Sequence, residues 1–232
     1  KYIKVIMEKI LVICAHPDDE ILGCGGTLLK HKSKNDQINL LYVFEGSSAR
    51  NKINNLQTNL NLKKRKKSAL KVGKFLKVRS INFLNNENLN SNSEIKLKIT
   101  NQINLHIEKI KPTIIYTHSS KDLNVDHRTC LEAVLIATRT TKTNYLKKIL
   151  SFEIPSSTEW SFNLFGNFSG NYFVDIEKFI NEKLKLINFY KYELKKFPYP
   201  RSKENILSQS RFIGSFVGFK NAERFEVIKI LS

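Results

Sequence analysis

The chain is poor in residues that staple a fold or anchor it in a bilayer. Its 232 residues include three cysteines, Cys14, Cys24 and Cys130, none of them in a Cys-x-x-Cys pair. Neither a disulfide framework nor a zinc ribbon can be built from that set, and a reducing cytoplasm is the expected setting. No apolar run approaches the roughly 18 residues that a membrane helix needs, so a soluble protein is expected. The opening KYIKVIMEKILVICAH has no small-residue cleavage site of the kind a signal peptide carries. Met7 is the single methionine and reads as a natural start, with residues 1–6 as an upstream extension. Arginine is scarce as well, with eight against 31 lysines, while asparagine reaches 24.

That scarcity bears on the charge. Lys and Arg total 39 against 21 Asp and Glu, a formal net charge of +18. Such a balance raises the question of nucleic acid or an anionic membrane. The arginine clusters best suited to bidentate phosphate recognition are absent, and the lysines are scattered from Lys1 to Lys229. The one dense run, Lys63-Lys64-Arg65-Lys66-Lys67, falls on a predicted helix, where a charge run reads as a solvated face. Lysine and asparagine enriched together read as compositional background, and no nucleic-acid partner is expected.

With 41% hydrophobic residues, the chain can bury one sizeable core, and a single domain over 1–232 is expected. Lys9–Ala15 (KILVICA) reads as a buried strand followed by a polar loop and a helix rich in Leu and Gly. Strands follow at Ile38–Phe44, Arg79–Leu84 and Thr113–Thr117, separated by helices around Leu60–Leu76 and over Ser93–Lys109. A helix over Asp126–Thr138 comes next. This alternation predicts a three-layer α/β fold: a Rossmann-like, doubly wound, mostly parallel sheet with helices on both faces. The last third reads as a strand at Ile149–Ile154, a Pro/Ser/Gly-rich loop at Pro155–Gly170 and a strand at Tyr172–Asp175. It continues as an amphipathic helix over Ile176–Lys195, then one more helix and a short strand.

The chemistry concentrates in two loops. Ala15-His16-Pro17-Asp18-Asp19-Glu20 sits at the carboxyl end of the first strand, where open parallel sheets bind ligands. Adjacent carboxylates repel unless a cation or proton is shared, and a metal resolves that. The second loop, His118-Ser-Ser-Lys-Asp122-Leu-Asn124-Val-Asp126-His127-Arg128, occupies the equivalent end of the fourth strand. Together they offer two His and a carboxylate with one open position, the arrangement of a catalytic zinc site, which Fe(II) also accepts. The residues alone assign His16, Asp19 and His127 to the metal and one Asp to the base. Asp18 or Asp19 as a simple helix cap is the blander alternative, and the His127 loop weighs against it. His31 and His106 read as solvated or half-buried histidines and the cysteines as small core residues. Gly23, Gly25 and Gly26 read as close helix packing, because an acidic loop occupies the place where a dinucleotide's phosphate would sit.

AHPDDE after a strand, followed about 110 residues later by D-x-N-x-D-H-R, resembles the PIG-L/LmbE-like family of zinc-dependent N-acetylglucosaminyl deacetylases. The resemblance extends to Arg65, Pro155-Ser-Ser-Thr-Glu-Trp160, Pro198-Tyr-Pro-Arg-Ser202, Gly214 and Ala222-Glu223, blocks similar to the branch found with bacterial surface-sugar biosynthesis. It implies zinc on His16, Asp19 and His127, Asp18 as general base, and Asp126 as a supporting carboxylate that orients a neighbouring polar group. It also implies an N-acetylglucosamine-type substrate that is nucleotide-linked, lipid-linked or a glycan intermediate, with a sugar-thiol conjugate as the alternative. Arg50 matches a position that contacts substrate, and Arg128 would suit an anionic carrier. Many relatives carry a histidine where this chain has Asn124, so Asn124 is read as a substrate or supporting contact, with His118 reaching the same space as the other option. The aromatic loop 160–173 is expected to close over the pocket. A homo-oligomer is compatible with all of this.

Overall fold

The computed structural model describes residues 7–46, 55–86, 93–139 and 144–231, with the side chains of 55–59 left aside. Residues 1–6 and Arg50 lie outside the described residues. The element order is β1 Lys9–Cys14, α1 Asp19–Ser33, β2 Gln37–Phe44, α2 Asn55–Leu76, β3 Ser80–Asn86, α3 Ser93–Ile110 and β4 Ile114–His118. It continues with α4 Val125–Ala137, β5 Lys148–Phe152, β6 Tyr172–Asp175, α5 Ile180–Ile187, α6 Lys203–Ser215 and β7 Ala222–Ile230. One seven-stranded sheet runs β3-β2-β1-β4-β5-β7-β6. The first five strands in that order pair in parallel, whereas β7 runs antiparallel to both β5 and β6.

The three-layer arrangement follows from the side-chain alternation of β1. Ile10, Val12 and Cys14 point to one face, where α1, the end of α2, α5 and Ile206 of α6 pack. Leu11, Ile13 and Ala15 point to the other, against α3 and α4. The ambiguous apolar spacing of α3 resolves in the same way. Ile99, Ile103 and Ile107 are buried at helical intervals, while Leu97 and Leu105 face solvent. All three cysteines are free and buried, as expected of small core residues. Among the described residues, no helix is long and apolar enough to cross a membrane.

Two expectations for the last third need correction. The amphipathic helix expected over Ile176–Lys195 is an α-helix only over Ile180–Ile187, with 3₁₀ turns at Glu177–Phe179 and Asn188–Tyr190. Past Tyr190 the chain is held by a polar contact, Glu193 to Arg65, and then meets Pro198 and Pro200, which cannot continue a helix. The final strand is also long rather than short. β7 has nine residues and fills the gap between β5 and β6.

β7 also repairs a break in α1. The helix is kinked at Cys24 (φ −143°, ψ 22°), which frees backbone donors in its interior. Glu223 of β7 takes them: Gly26 N donates at 2.8 Å and Thr27 N at 2.7 Å, with the Thr27 hydroxyl at 2.6 Å. Lys183 of α5 neutralises the carboxylate at 2.7 Å and donates to Leu22 O at 3.1 Å. The glycines permit the close packing: a Cβ on Gly23 would collide with the Phe152 ring, and one on Gly26 would lie 2.8 Å from Ile176.

Removing one partner of a buried ion pair strands the other charge. Glu223→Ala should therefore lose about 3–5 kcal/mol of stability in urea unfolding. A loss below about 1 kcal/mol would show that the kink is held by packing alone.

Candidate metal centre

The strand order reverses between β1 and β4, since the chain moves outward through β2 and β3 before returning to β4. The crevice at their carboxyl ends is where such sheets take ligands. The loop after β1 delivers His16 and Asp18 there, with Asp19 opening α1; the loop after β4 delivers Asp122 and Asn124, with Asp126 and His127 on the first turn of α4.

Asp19 Oδ2 is the centre of the cluster. It accepts the His16 backbone N–H at 2.8 Å and lies 3.7 Å from His16 Nδ1, 3.6 Å from His127 Nε2 and 3.3 Å from His118 Nε2. Donor atoms of His16, Asp19 and His127 all fall within 4.8 Å of one another. Donors placed about 2.0–2.1 Å from a tetrahedral zinc are about 3.3 Å apart. The 3.6 and 3.7 Å separations, too long for hydrogen bonds, are therefore close to those of ligands around a shared ion. These residues fit a divalent cation in donor type, number and spacing.

Both imidazoles are held from behind. His16 Nε2 lies 3.0 Å from Asp126 Oδ2, leaving Nδ1 for a ligand. His127 Nδ1 lies 3.0 Å from Asp122 Oδ2, leaving Nε2. That second contact is close, but its angle is poor enough that Nδ1 has no hydrogen bond among the described residues. Asp122 is itself anchored by Ser157, by Thr158 Oγ1 at 2.9 Å and by Asn124 N at 2.8 Å. A carboxylate behind a ligating histidine fixes the ring and raises its basicity.

A second set, His118, Asp122 and His127, also brings three donors within reach of one another. It does not suit a metal. The His118 and His127 rings stack with centroids 4.0 Å apart and planes 22° apart, so their in-plane lone pairs run side by side instead of converging. His118 Nε2 already accepts Ala15 N at 2.9 Å, and the Asp122 oxygens are taken. The expected substrate contact His118 is 0% exposed and lies behind Asp19.

The electrostatics divide the two adjacent aspartates. Burial works against ionising Asp19, but the histidines His127, His118 and His16 outweigh it and hold the carboxyl well below the usual range. Asp18 is equally buried, and burial together with the neighbouring Asp19 charge pushes it up to about 6 despite Arg201 and Arg65. Burial lowers His118 to about 4, helped by His127, so it is a neutral imidazole. Burial opposes the His127 cation too, yet Asp19 and Asp122 raise it on balance. Asp122 falls to about 2: burial acts against ionisation, and His127 and the Ser157 hydroxyl prevail.

Asp18 sits on an unusual backbone, φ 133° and ψ −30°, a region that L-residues rarely occupy. Its N–H donates to Glu20 Oε2 at 3.0 Å, and Glu20 Oε1 accepts the Tyr190 hydroxyl at 2.6 Å. Its carboxylate accepts Arg201 Nη1 at 3.2 Å, while Arg201 Nε donates to Pro155 O and the Ser156 hydroxyl. Glu193 stands between Arg201 and Arg65.

The remaining expected site residues take loop-building positions. Asn124 caps α4, its Oδ1 accepting Asp126 N at 2.9 Å. Arg128 donates to Asp122 O and Leu123 O and lies 4.0 Å over the Phe165 ring. Sequence reading missed the supporting roles of Asp122, Tyr190, Glu193 and Arg201. Asp122 could have been found by its place in D-x-N-x-D-H-R, and Arg201 had only a Pro-Tyr-Pro-Arg-Ser block to mark it.

Residues 11–138 match the model of the family described as PIG-L, GlcNAc-PI de-N-acetylase. A protein of Escherichia coli K12, uncharacterized deacetylase YaiS, is 30% identical over 152 residues, spanning 64% of this chain and 75% of its own length. The solved N,N'-diacetylchitobiose deacetylase of Pyrococcus horikoshii superimposes with a TM-score of 0.76 at 18% identity, covering 95% of this chain and 84% of that one. GalB, the 4-carboxy-2-hydroxymuconate hydratase of Pseudomonas putida KT2440, does so with a TM-score of 0.73 at 17% identity, covering 97% and 98%. At such identities the solved structures establish the fold, and a hydratase among them marks it as a scaffold for more than one chemistry.

Loss of a supporting carboxylate typically costs 10–100-fold in metal affinity. Asp122→Asn and Asp126→Asn should each weaken binding of Zn(II) by about that factor in a chelator competition. Unchanged affinity in both would reduce the two carboxylates to loop structure.

Proposed function

The chain belongs to the PIG-L family of de-N-acetylases, whose matched segment spans His16, Asp19 and His127, and from that premise we propose a metal-dependent hydrolase that removes the acetyl group from an N-acetylated amino sugar. The observation that carries this reading is the convergence of those three donors beside Asp18, at the switch point of the sheet.

In this proposal His16, Asp19 and His127 hold zinc, and the same donors would accept Fe(II). A cation bound there supplies Lewis acidity, which polarises the acetyl carbonyl and lowers the pKa of water. Asp18 is not needed as a ligand and acts as the proton carrier. It takes a proton from the attacking water as the new C–O bond forms, then gives it to the sugar nitrogen as the amide C–N bond breaks. The products are acetate and a free amine. Arg201 and the Glu20 contact to the Asp18 N–H fix the direction in which that carboxylate points. Asp126 sets the His16 ring, and Asp122 sets that of His127.

Substrate contacts are assigned to Asn124 and Arg128 at the second loop, with Arg50 outside the described residues. An N-acetylglucosamine-type ring is the preferred substrate, supported by the family's description. The reaction then belongs with a small-molecule sugar in the cytoplasm, as a step toward a surface glycan, and involves no nucleic acid.

Acetate release from N-acetylglucosamine derivatives is the test. Chelation should abolish it and Zn(II) restore it. Asp18→Asn should lower kcat by about 10²–10⁴-fold with metal content unchanged, whereas Asp19→Ala and His127→Ala should lose the metal. Near-normal turnover in Asp18→Asn would remove the base assignment, and chelator-resistant activity would remove the mechanism.

A further inference from the structure

Helix α2 presents two unlike faces. Arg65 is turned inward onto Glu193, and Ser68, Ala69, Val72 and Leu76 are buried on the same side. Lys63, Lys67, Lys71 and Lys74 are exposed on the other, spaced four, four and three residues apart. That spacing sets them in one line along the helix, about 16 Å long at 1.5 Å per residue. Lys64 flanks the line. Among the described residues none of these five lysines has an acidic partner, whereas Lys96, Lys147, Lys183 and Lys220 each pair with a glutamate.

The composition of the chain does not account for this face. A lysine-rich background supplies cations everywhere, but α2 also lacks acids: its 22 residues contain no Asp or Glu, and each of the other α-helices contains at least one. At the frequency of acids in the whole chain, 21 in 232, a helix of that length would carry a pair of them. Like charges four residues apart repel along a helix, and no acid within α2 offsets them. The segment packed beside α2 extends the charge. Ser68 Oγ donates to Phe189 O at 2.6 Å and Arg65 holds Glu193, while Lys191, Lys195 and Lys196 are exposed next to these contacts. The acid in that segment, Glu193, faces Arg65 and Arg201.

Apolar side chains are interleaved with the lysines. Leu60 is 50% exposed, three residues before Lys63, and Leu70 is 55% exposed, three residues after Lys67 and four before Lys74. In a bilayer, anionic headgroups answer the lysines, and the boundary with the acyl chains answers the leucines. Nucleic acid offers phosphates but no apolar phase for aliphatic side chains, and the arginine of this run, the residue best suited to phosphate, is buried. We propose that this face of α2 docks the protein on an anionic phospholipid bilayer, in contact with the surface and without spanning it. The docking needs neither the metal centre nor the sugar.

The test is co-sedimentation of the full-length protein with vesicles of phosphatidylcholine alone, and of phosphatidylcholine and phosphatidylglycerol in equal parts. The protein should bind the mixed vesicles at physiological ionic strength and not the neutral ones. It should be released at about 1 M salt, where the Debye length falls to about 3 Å. Each lysine near an anionic surface contributes about fivefold in affinity, so Lys63→Gln/Lys67→Gln/Lys71→Gln should lower the partition coefficient about 100-fold. Arginine at the same three positions should keep it. Leu60→Ser/Leu70→Ser should lower it about tenfold. These five positions are exposed, so the variants should melt with the parent protein in circular dichroism. Lys98→Gln/Lys109→Gln/Lys111→Gln removes the same charge from exposed positions on and just after α3, in the opposite layer, and should leave binding in place. Equal loss in the α2 and α3 lysine variants would reduce the effect to net charge and overturn the surface. So would absence of binding to the mixed vesicles, binding undiminished by loss of the α2 lysines or of the leucines, or displacement from the vesicles by duplex DNA.

Discussion

A carboxylate that is 1% exposed, Asp19, is the constraint around which the rest of the structure is arranged. Burying an ionised group is costly unless positive charge and hydrogen bonds answer it. Here the answer is the His16 backbone N–H, which donates to Oδ2 at 2.8 Å, and three imidazoles gathered within 3.7 Å of that oxygen, of which His127 is shifted toward its cation. Each imidazole then needs an orientation, which brings Asp126 behind His16, Asp122 behind His127 and the Ala15 N–H against His118. Asp122 in turn fastens the loop after β5 through Ser157 and Thr158. The loops after β1, β4 and β5 are thus organised outward from a single buried charge.

That charge also separates the roles of the two adjacent aspartates. Asp19 is surrounded by histidines and stays ionised, while Asp18 has burial and the Asp19 charge against it and arginines in its favour. Different environments suit the two adjacent carboxylates to the different work proposed for them, a ligand and a proton carrier. Asp18 itself sits on an unusual backbone, with Glu20 accepting both its N–H and the Tyr190 hydroxyl.

What could be read from the sequence was local. AHPDDE and D-x-N-x-D-H-R each sit within a few residues of a strand end, so knowing the strand was enough to place them on one sheet edge. The α/β alternation was legible because five strands and their helices repeat in order. The supports were hidden by distance along the chain: Arg201 reaches Asp18 across 183 residues, and Tyr190 reaches Glu20 across 170. The break in the helix expected over Ile176–Lys195 was hidden for the same reason. Periodicity reports an apolar face, not the Arg65–Glu193 contact that redirects the chain. Arg128 and Asn124 were singled out by the family resemblance, which did not show that their bonds also build the loop.

The cap that Glu223 places on the kinked first helix has a consequence for how the protein assembles. A helix that starts at residue 19 has its interior donors completed by a residue 196 positions away. Contacts of such sequence separation form late, after the loop-closure entropy of nearly the whole chain has been met. As the chain emerges during synthesis, the segment carrying the three metal-ligand candidates precedes by about a hundred residues the strand whose Glu223 accepts the donors freed by the kink. The first helix, begun among the earliest residues, is therefore completed among the last, once β7 lies between β5 and β6.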